Sequence, residues 1–228
     1  MRAATLLEVG VDASGASVLR RVHCEAPLLV RAETGEHGLT LWLVGGAAGP
    51  LGGDELSLDL RVDSGAHVRV RSVAAQAVHP SPHGTASTLR TSITVGDEAV
   101  VDWAPEPTLS IVGSVHTTSL RVDAVASARV RLAESLVLGR HHEAGGTITL
   151  AQRVHVNGEV VLHTASTFGP GVWSSPGANG PFRTFRSELH LGPDAPTTTS
   201  SAVSPTCVHA VLSIAPGVAL ATTATTTA

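Results

Sequence analysis

Hydrophobic residues along most of this chain alternate with polar ones in short runs. Leu56, Leu58, Leu60 and Val62 are separated by Ser57, Asp59 and Arg61, a period of two that puts the aliphatic side chains on one face of a strand. Leu6, Leu7 and Val9 lead to a turn at Asp12-Ala13-Ser14-Gly15, and Val18, Leu19 and Val22 follow it. The pattern then recurs. Leu56 to Val62 turns at Asp63-Ser64-Gly65 into Val68 and Val70, and Leu89 to Val95 turns at Gly96-Asp97-Glu98 into Val100 and Val101. Leu120 and Val122 precede Asp123, with Val130 and Leu132 beyond it. Val154 and Val156 turn at Asn157-Gly158 into Val160 and Leu162, where the Asn-Gly pair suits the two positive-φ positions of a hairpin turn.

Successive turns from Gly65 to Asn157 are spaced by about 25 to 35 residues, the range of stacked β architectures. The units share little sequence, so the repeat is one of topology. The fold expected is all-β, a β-helix or solenoid-like stack of strands with few or no helices. Helix propensity is permissive only at Ala126 to Leu138 and Val73 to Val78, and both read better as strand or short turn. Residues 1–168 form the expected β-stacked core. Residues 169–205, dense in Pro, Gly, Ser and Thr, read as an irregular excursion with one strand at Thr184 to Leu191. Residues 206–221 read as a closing hairpin turning at Ala215-Pro216-Gly217, and residues 222–228 as a disordered tail, all within one domain.

One stretch breaks the alternation: Ala47-Ala48-Gly49-Pro50-Leu51-Gly52-Gly53-Asp54, directly before the strand at Glu55. A phosphate loop needs glycines that lead into a helix, and a lysine. These glycines lead into a strand and the chain has no lysine, so the stretch is a shaped turn.

Composition narrows the chemistry. Aromatic residues make up 3% of the chain, so the core must be built from Val, Leu and Ala. The net charge of −4 argues against nucleic acid or an anionic membrane as partner. All 15 cationic residues are arginine, which excludes Schiff-base chemistry. Cys24 and Cys207 show no metal-type spacing, Glu8 and Asp12 interrupt any apolar leader, and no run approaches a membrane span. The expectation is a cytoplasmic protein.

Twelve histidines raise the question of metal. His141 and His142 are adjacent and followed by Glu143; on a strand their rings would point to opposite faces, and only a loop would let them converge. His79 and His83, in a proline-punctuated loop, could share an ion, but two ligands alone hold Ni²⁺ or Zn²⁺ weakly and reversibly. No nucleophile elbow, cysteine pair or triad is visible. Asp54, Asp102, Glu106 and Glu134 are assigned to turns or strand ends, where capping or solvation is the usual explanation. The residues therefore favour a scaffold or binding protein, not an enzyme. The competing reading is a cupin-like metal-dependent enzyme using His141, His142 and Glu143 with a distant histidine.

Four pieces in order carry a resemblance: Gly49-Pro50-Leu51-Gly52-Gly53-Asp54, Val73-Ala74-Ala75-Gln76-Ala77-Val78, Asp102-Trp103-Ala104-Pro105-Glu106-Pro107-Thr108, and Glu134-Ser135-Leu136-Val137-Leu138-Gly139-Arg140. Together, from about Leu39 to His163, the chain resembles the UreD family of urease accessory proteins. The resemblance implies a chaperone for nickel insertion that joins UreF and UreG homologues, docks on apo-urease, and offers an internal passage for the ion. It implies Asp54, Gln76, Glu106, Arg140 and Glu143 as candidates for lining the channel or docking partners. Transient Ni²⁺ at His79, His83, His141 and His142, no tightly bound cofactor, and a dimer of the accessory complex complete the expectation.

Overall fold

A computed structural model describes residues 1–35, 38–170 and 182–226. Among these residues there are eighteen strands and no helix. In chain order they begin with β1 (Arg2–Val11), β2 (Ser17–Cys24), β3 (Leu28–Gly35), β4 (Gly38–Gly45), β5 (Glu55–Val62) and β6 (His67–Ser72). Next come β7 (Gln76–Val78), β8 (Ser87–Val95), β9 (Val100–Trp103), β10 (Thr108–Ser110), β11 (Val115–Ala124) and β12 (Arg129–Leu138). The last six are β13 (Thr147–Val156), β14 (Glu159–Phe168), β15 (Thr184–Leu191), β16 (Ser200–Val203), β17 (Cys207–Ala215) and β18 (Val218–Thr225).

Two sheets result. The smaller has seven strands in the order β14-β13-β11-β8-β5-β1-β2; the larger has eleven, with the main path β16-β17-β18-β15-β12-β9-β6-β4-β3 and β7 and β10 beside it. Between Glu55 and Val156 the chain passes alternately from one sheet to the other, and successive passes pair in parallel. That is a solenoid of β-coils, as the turn spacing predicts. Leu56 lies beside Leu89, Leu89 beside Thr118, and Thr118 beside Leu150. On the other sheet Leu39, Val68, Val101 and Val130 stack in the same way, next to the crossing turns. The turns at Asp63-Gly65, Gly96-Glu98 and Val125-Ala128 therefore cross between layers, whereas Asn157-Gly158, with φ of 52° and 84°, closes a true hairpin of β13 and β14.

The period-two pattern builds the core directly. Leu7, Leu41, Leu60, Ile93 and Leu132 are fully buried between the sheets, in one large aliphatic cluster near the crossing turns. A smaller cluster of Leu136, Leu138, Ile148 and Leu150, with Phe168 and Phe185 packed on it, lies toward the other ends of the strands.

Two expectations about the C-terminal region are corrected. The excursion contains Ser200–Val203 as a strand besides the one at Thr184–Leu191, while its residues 171–181 lie outside the described residues. Thr222 to Thr225, expected in a disordered tail, belong to β18 and pair with both β15 and β17. Threonine is β-branched and suits a strand between two others even where hydrophobic residues are few.

Candidate functional site

Toward the strand ends away from the crossing turns, the coils do not fill their interior. A cavity of about 360 Å³ opens there, rimmed by the loops at Gly45–Gly49, Ser72–Ala77 and Pro105–Thr108. Its walls are Leu56, Leu58, Leu89, Thr91, Thr118 and Trp103, and Glu134 stands at its inner end. The reason is local. Small residues follow β4 and β6, Ala47-Ala48 and Ala74-Ala75, and their short side chains leave part of the mouth open.

Glu134 lies in phase with Val130, Leu132, Leu136 and Leu138 on β12, all of them buried, so its side chain points inward. It lies deep among protein atoms yet touches the cavity space. Burial raises its carboxyl to about 7, and the hydrogen bond donated by Trp103 Nε1 to Oε1 at 2.7 Å opposes the rise only in part. The carboxylate is thus poised between charged and neutral near neutral pH.

More polar groups share this end of the interior. Ser187, the cross-strand neighbour of Glu134, donates to Gln152 Oε1 on the opposite sheet at 3.2 Å. His116 on β11 shares a 2.8 Å hydrogen bond between Nδ1 and Ser87 Oγ. Burial pushes the His116 imidazole down to about 4, a shift partly offset by hydrogen bonding at Ser87. His116 Nε2 and Gln152 Nε2 are both buried without a hydrogen-bond partner. A core assembled only for stability would not carry these groups.

The candidates read from sequence divide. Gln76, Glu106 and His79 lie on the cavity rim, brought together by β7 pairing with β10 and by Glu106 N–H donating to Ser72 Oγ at 2.8 Å. Asp54 does not line the cavity. Its carboxylate accepts the Leu51 N–H at 2.8 Å and pairs with the Met1 ammonium at 2.9 Å, so it holds the glycine-rich turn in place. The shape of that turn is fixed at Gly52, where a Cβ would lie 2.4 Å from the Thr85 carbonyl oxygen.

Arg140 and Glu143 form a self-contained turn, in which Glu143 Oε2 accepts the Arg140 N–H at 3.0 Å. Arg183 locks it by donating to the carbonyls of Leu138, Arg140 and Glu143. His141 and His142 are exposed on this turn with ring centroids 3.8 Å apart, and His83 is exposed on another. Among the described residues no three His, Cys, Asp or Glu side chains gather as a metal site, so the cupin-like arrangement is not assembled.

Glu134 and Asp102 correct the assignment of carboxylates to turns or strand ends. Glu134 is inside β12, and its phase with the buried leucines was a signal available in the sequence. Asp102, on β9, bridges Arg71 and Arg131 on neighbouring strands. Arg131 continues to Glu188, which also takes Arg186, and this ladder ties four parallel or antiparallel strands together. Burial raises the carboxyls of Asp102 and Glu188, but their arginine partners outweigh it and both lie below the ordinary range. Arg183, the clamp on the 139–146 loop, gave no sequence signal because its carbonyl acceptors are backbone groups.

The fold and its interior define a hollow β-solenoid whose polar cavity floor lacks an assembled metal cage among the described residues. The profile of the UreD urease accessory protein family matches residues 3–226, and the chain belongs to that family. It is 37% identical over 207 residues to the urease accessory protein UreD of Parafrankia sp., an alignment covering 89% of this chain and 68% of the relative. To the UreD of Frankia alni it is 40% identical over 158 residues, covering 69% of this chain and 51% of that protein. To the UreD of Streptomyces coelicolor it is 36% identical over 169 residues, covering 72% and 66%. The chain thus spans between about half and two thirds of the length of these relatives.

Proposed function

We propose that this chain is a non-catalytic scaffold chaperone of urease maturation that joins UreF and UreG homologues and assists nickel insertion into apo-urease. In this reading Ni²⁺ is cargo and passes through the interior cavity, with Gln76, Glu106 and His79 at the rim and Glu134 within. The observation that carries it is the single deep carboxylate facing a cavity of about 360 Å³. A conduit needs a site favourable enough to admit an ion and weak enough to release it. One carboxylate with neutral oxygens nearby, from Thr91 and Thr118, meets both needs, whereas a cage of three or four anionic or imidazole ligands would retain the ion.

The elevated pKa adds a second condition. A metal binds the carboxylate form, so entry of the ion displaces the Glu134 proton and departure takes one up. The affinity of the site then falls as the pH drops below about 7.

The test is nickel loading of urease in cells or in a reconstituted accessory complex carrying Glu134→Gln. The substitution keeps the shape and the acceptor for Trp103 while removing the charge. Complex assembly should be retained and the nickel content of urease should fall at least about tenfold, the scale of losing one charged ligand. Full nickel loading with Glu134→Gln would exclude the passage. Failure of the wild-type chain to co-purify with UreF and UreG homologues would exclude the scaffold role.

A further inference from the structure

The loop that ends β12, residues 139–146, carries two histidines that the proposed passage does not use. β6, β9 and β12 run parallel, so this loop stands one coil beyond the rim loops that end β6 and β9, at the same end of the solenoid as the cavity mouth. Its backbone is held tightly. Gly139 N–H donates to the Ser110 carbonyl at 2.8 Å and Gly146 N–H to the same oxygen at 3.1 Å, and a Cβ at Gly146 would lie 2.2 Å from Ser114 Oγ. With the carbonyls of Leu138, Arg140 and Glu143 all bound by Arg183, the turn between them has little freedom.

Adjacent residues of an extended chain point to opposite sides. His141 and His142 do not, because His142 adopts a left-handed backbone conformation with φ of 58°, unfavourable for a residue that has a Cβ. Both rings come to one side of the turn, their centroids 3.8 Å apart. Among the described residues no other two imidazole rings are in contact. Both side chains are exposed, and among the described residues neither ring has a hydrogen-bond or ion-pair partner. Glu143, the nearest carboxylate in sequence, has one oxygen turned to the Arg140 N–H. The turn therefore spends its polar contacts on its own backbone and presents two imidazoles to solvent.

We propose that His141 and His142 form a two-imidazole site for a divalent cation of the late first transition row, Ni²⁺, Cu²⁺ or Zn²⁺. Imidazole nitrogen suits these ions, whereas Mg²⁺ and Ca²⁺ take oxygen ligands. An ion about 2.1 Å from each nitrogen needs the two nitrogens roughly 3.0–3.4 Å apart, a span that rings in contact reach by rotation about their side-chain bonds. Two protein ligands leave the other coordination positions to water, so a ligand from a second molecule enters without first displacing a histidine. The site is thus suited to exchange, taking an ion up and handing it on. It needs neither Glu134 nor the cavity, and so stands apart from the passage proposed above.

Titration of the full chain with NiCl₂, followed by NMR, tests this. Ni²⁺ is paramagnetic, and below one equivalent it should broaden the imidazole signals of His141 and His142 before those of His83 and the remaining histidines. Excess Mg²⁺ should not restore them. His141→Gln and His142→Gln should each lower the Ni²⁺ affinity read at the amides of the 139–146 loop at least about tenfold, and the double variant little further, because a chelate needs both rings. Both side chains are exposed and unpaired, so the fold should not register the change, and the wild-type spectra depend on no variant at all. Glu134→Gln should leave the broadening at His141 and His142 unchanged, which keeps this result separate from that of urease loading. Histidines elsewhere that broaden first, single losses that merely add up to that of the double variant, or broadening that requires Glu134 would each overturn the proposal.

Discussion

The interior of this solenoid has two ends made from the same strands, and they are built to opposite rules. Near the crossing turns the rows read Leu60, Ile93, Val122 and Val154 on one sheet and Val70, Trp103 and Leu132 on the other, all buried and almost wholly aliphatic. Two residues along the same strands, the rows read Leu58, Thr91, Leu120 and Gln152 opposite Glu134 and Ser187. A further step along reaches Thr118, and the next Ser87 and His116. Stacking register is kept throughout; what changes is the chemistry of each rung. The aliphatic end holds the coils together, and that allows the other end to keep a hollow with ionisable groups that a compact core would reject.

The largest expected effect breaks the aliphatic end. Leu132→Ala, at a fully buried position, should cost about 2–5 kcal/mol in urea unfolding, enough to threaten the fold. A loss under 1 kcal/mol would mean that this end is not what secures the coils.

Next comes pH. Glu134 is at about 7 in the fold against an ordinary 4.5, so the folded chain retains a proton that the unfolded chain has released. Its contribution to stability is therefore greatest below pH 4.5 and is lost as pH rises to 7, by about 3 kcal/mol. His116 runs the other way. It is at about 4 against 6.5, so the unfolded chain takes up the proton first and stability is lost as pH falls from 6.5 to 4, again by about 3 kcal/mol. Between about 4.5 and 6.5 the two slopes oppose each other. Glu134→Gln should uncover the acid lability of His116, and His116→Gln should uncover the decline on the alkaline side. Difference curves of stability against pH, each variant against wild type, check both signs.

The smallest effects belong to the rim. Gln76→Ala and Glu106→Ala should change stability by less than about 0.5 kcal/mol, as surface substitutions do. Thermal melts that show a larger loss at either position would place the rim among the supports of the fold, erasing the contrast between the two ends.

How much of this was legible beforehand follows from where the signal resides. Alternation at Leu56–Val62 and its recurrences exposes the strands, the turn spacing exposes the stack, and Asn157-Gly158 marks its hairpin. Which turns cross between sheets is set by the partners of each strand, which lie one coil away and leave no local trace. At the site, Gln76 and Glu106 were reachable through the family motifs, whereas Asp54 belongs to the turn it ends. Glu134 was visible as a carboxylate in phase with leucines, but its depth depends on Trp103, supplied from the preceding coil. Arg183 acts on carbonyls, and a carbonyl has no letter in a sequence.

The coil order also sets a timetable. Parallel pairing means that each wall strand of the cavity waits for the pass before it: β5, β8 and β11 on one side, β6, β9 and β12 on the other. While the chain is being synthesised, Trp103 emerges well before its acceptor Glu134, and the rim loops exist before there is anything for them to surround. During that interval the inward rows of β8 and β9 are uncovered, a period in which a nascent chain is most prone to aggregate. The arrival of β12 ends it by two contacts at once: Glu134 reaches Trp103 on the inside, and Arg131 reaches Asp102 on the outside.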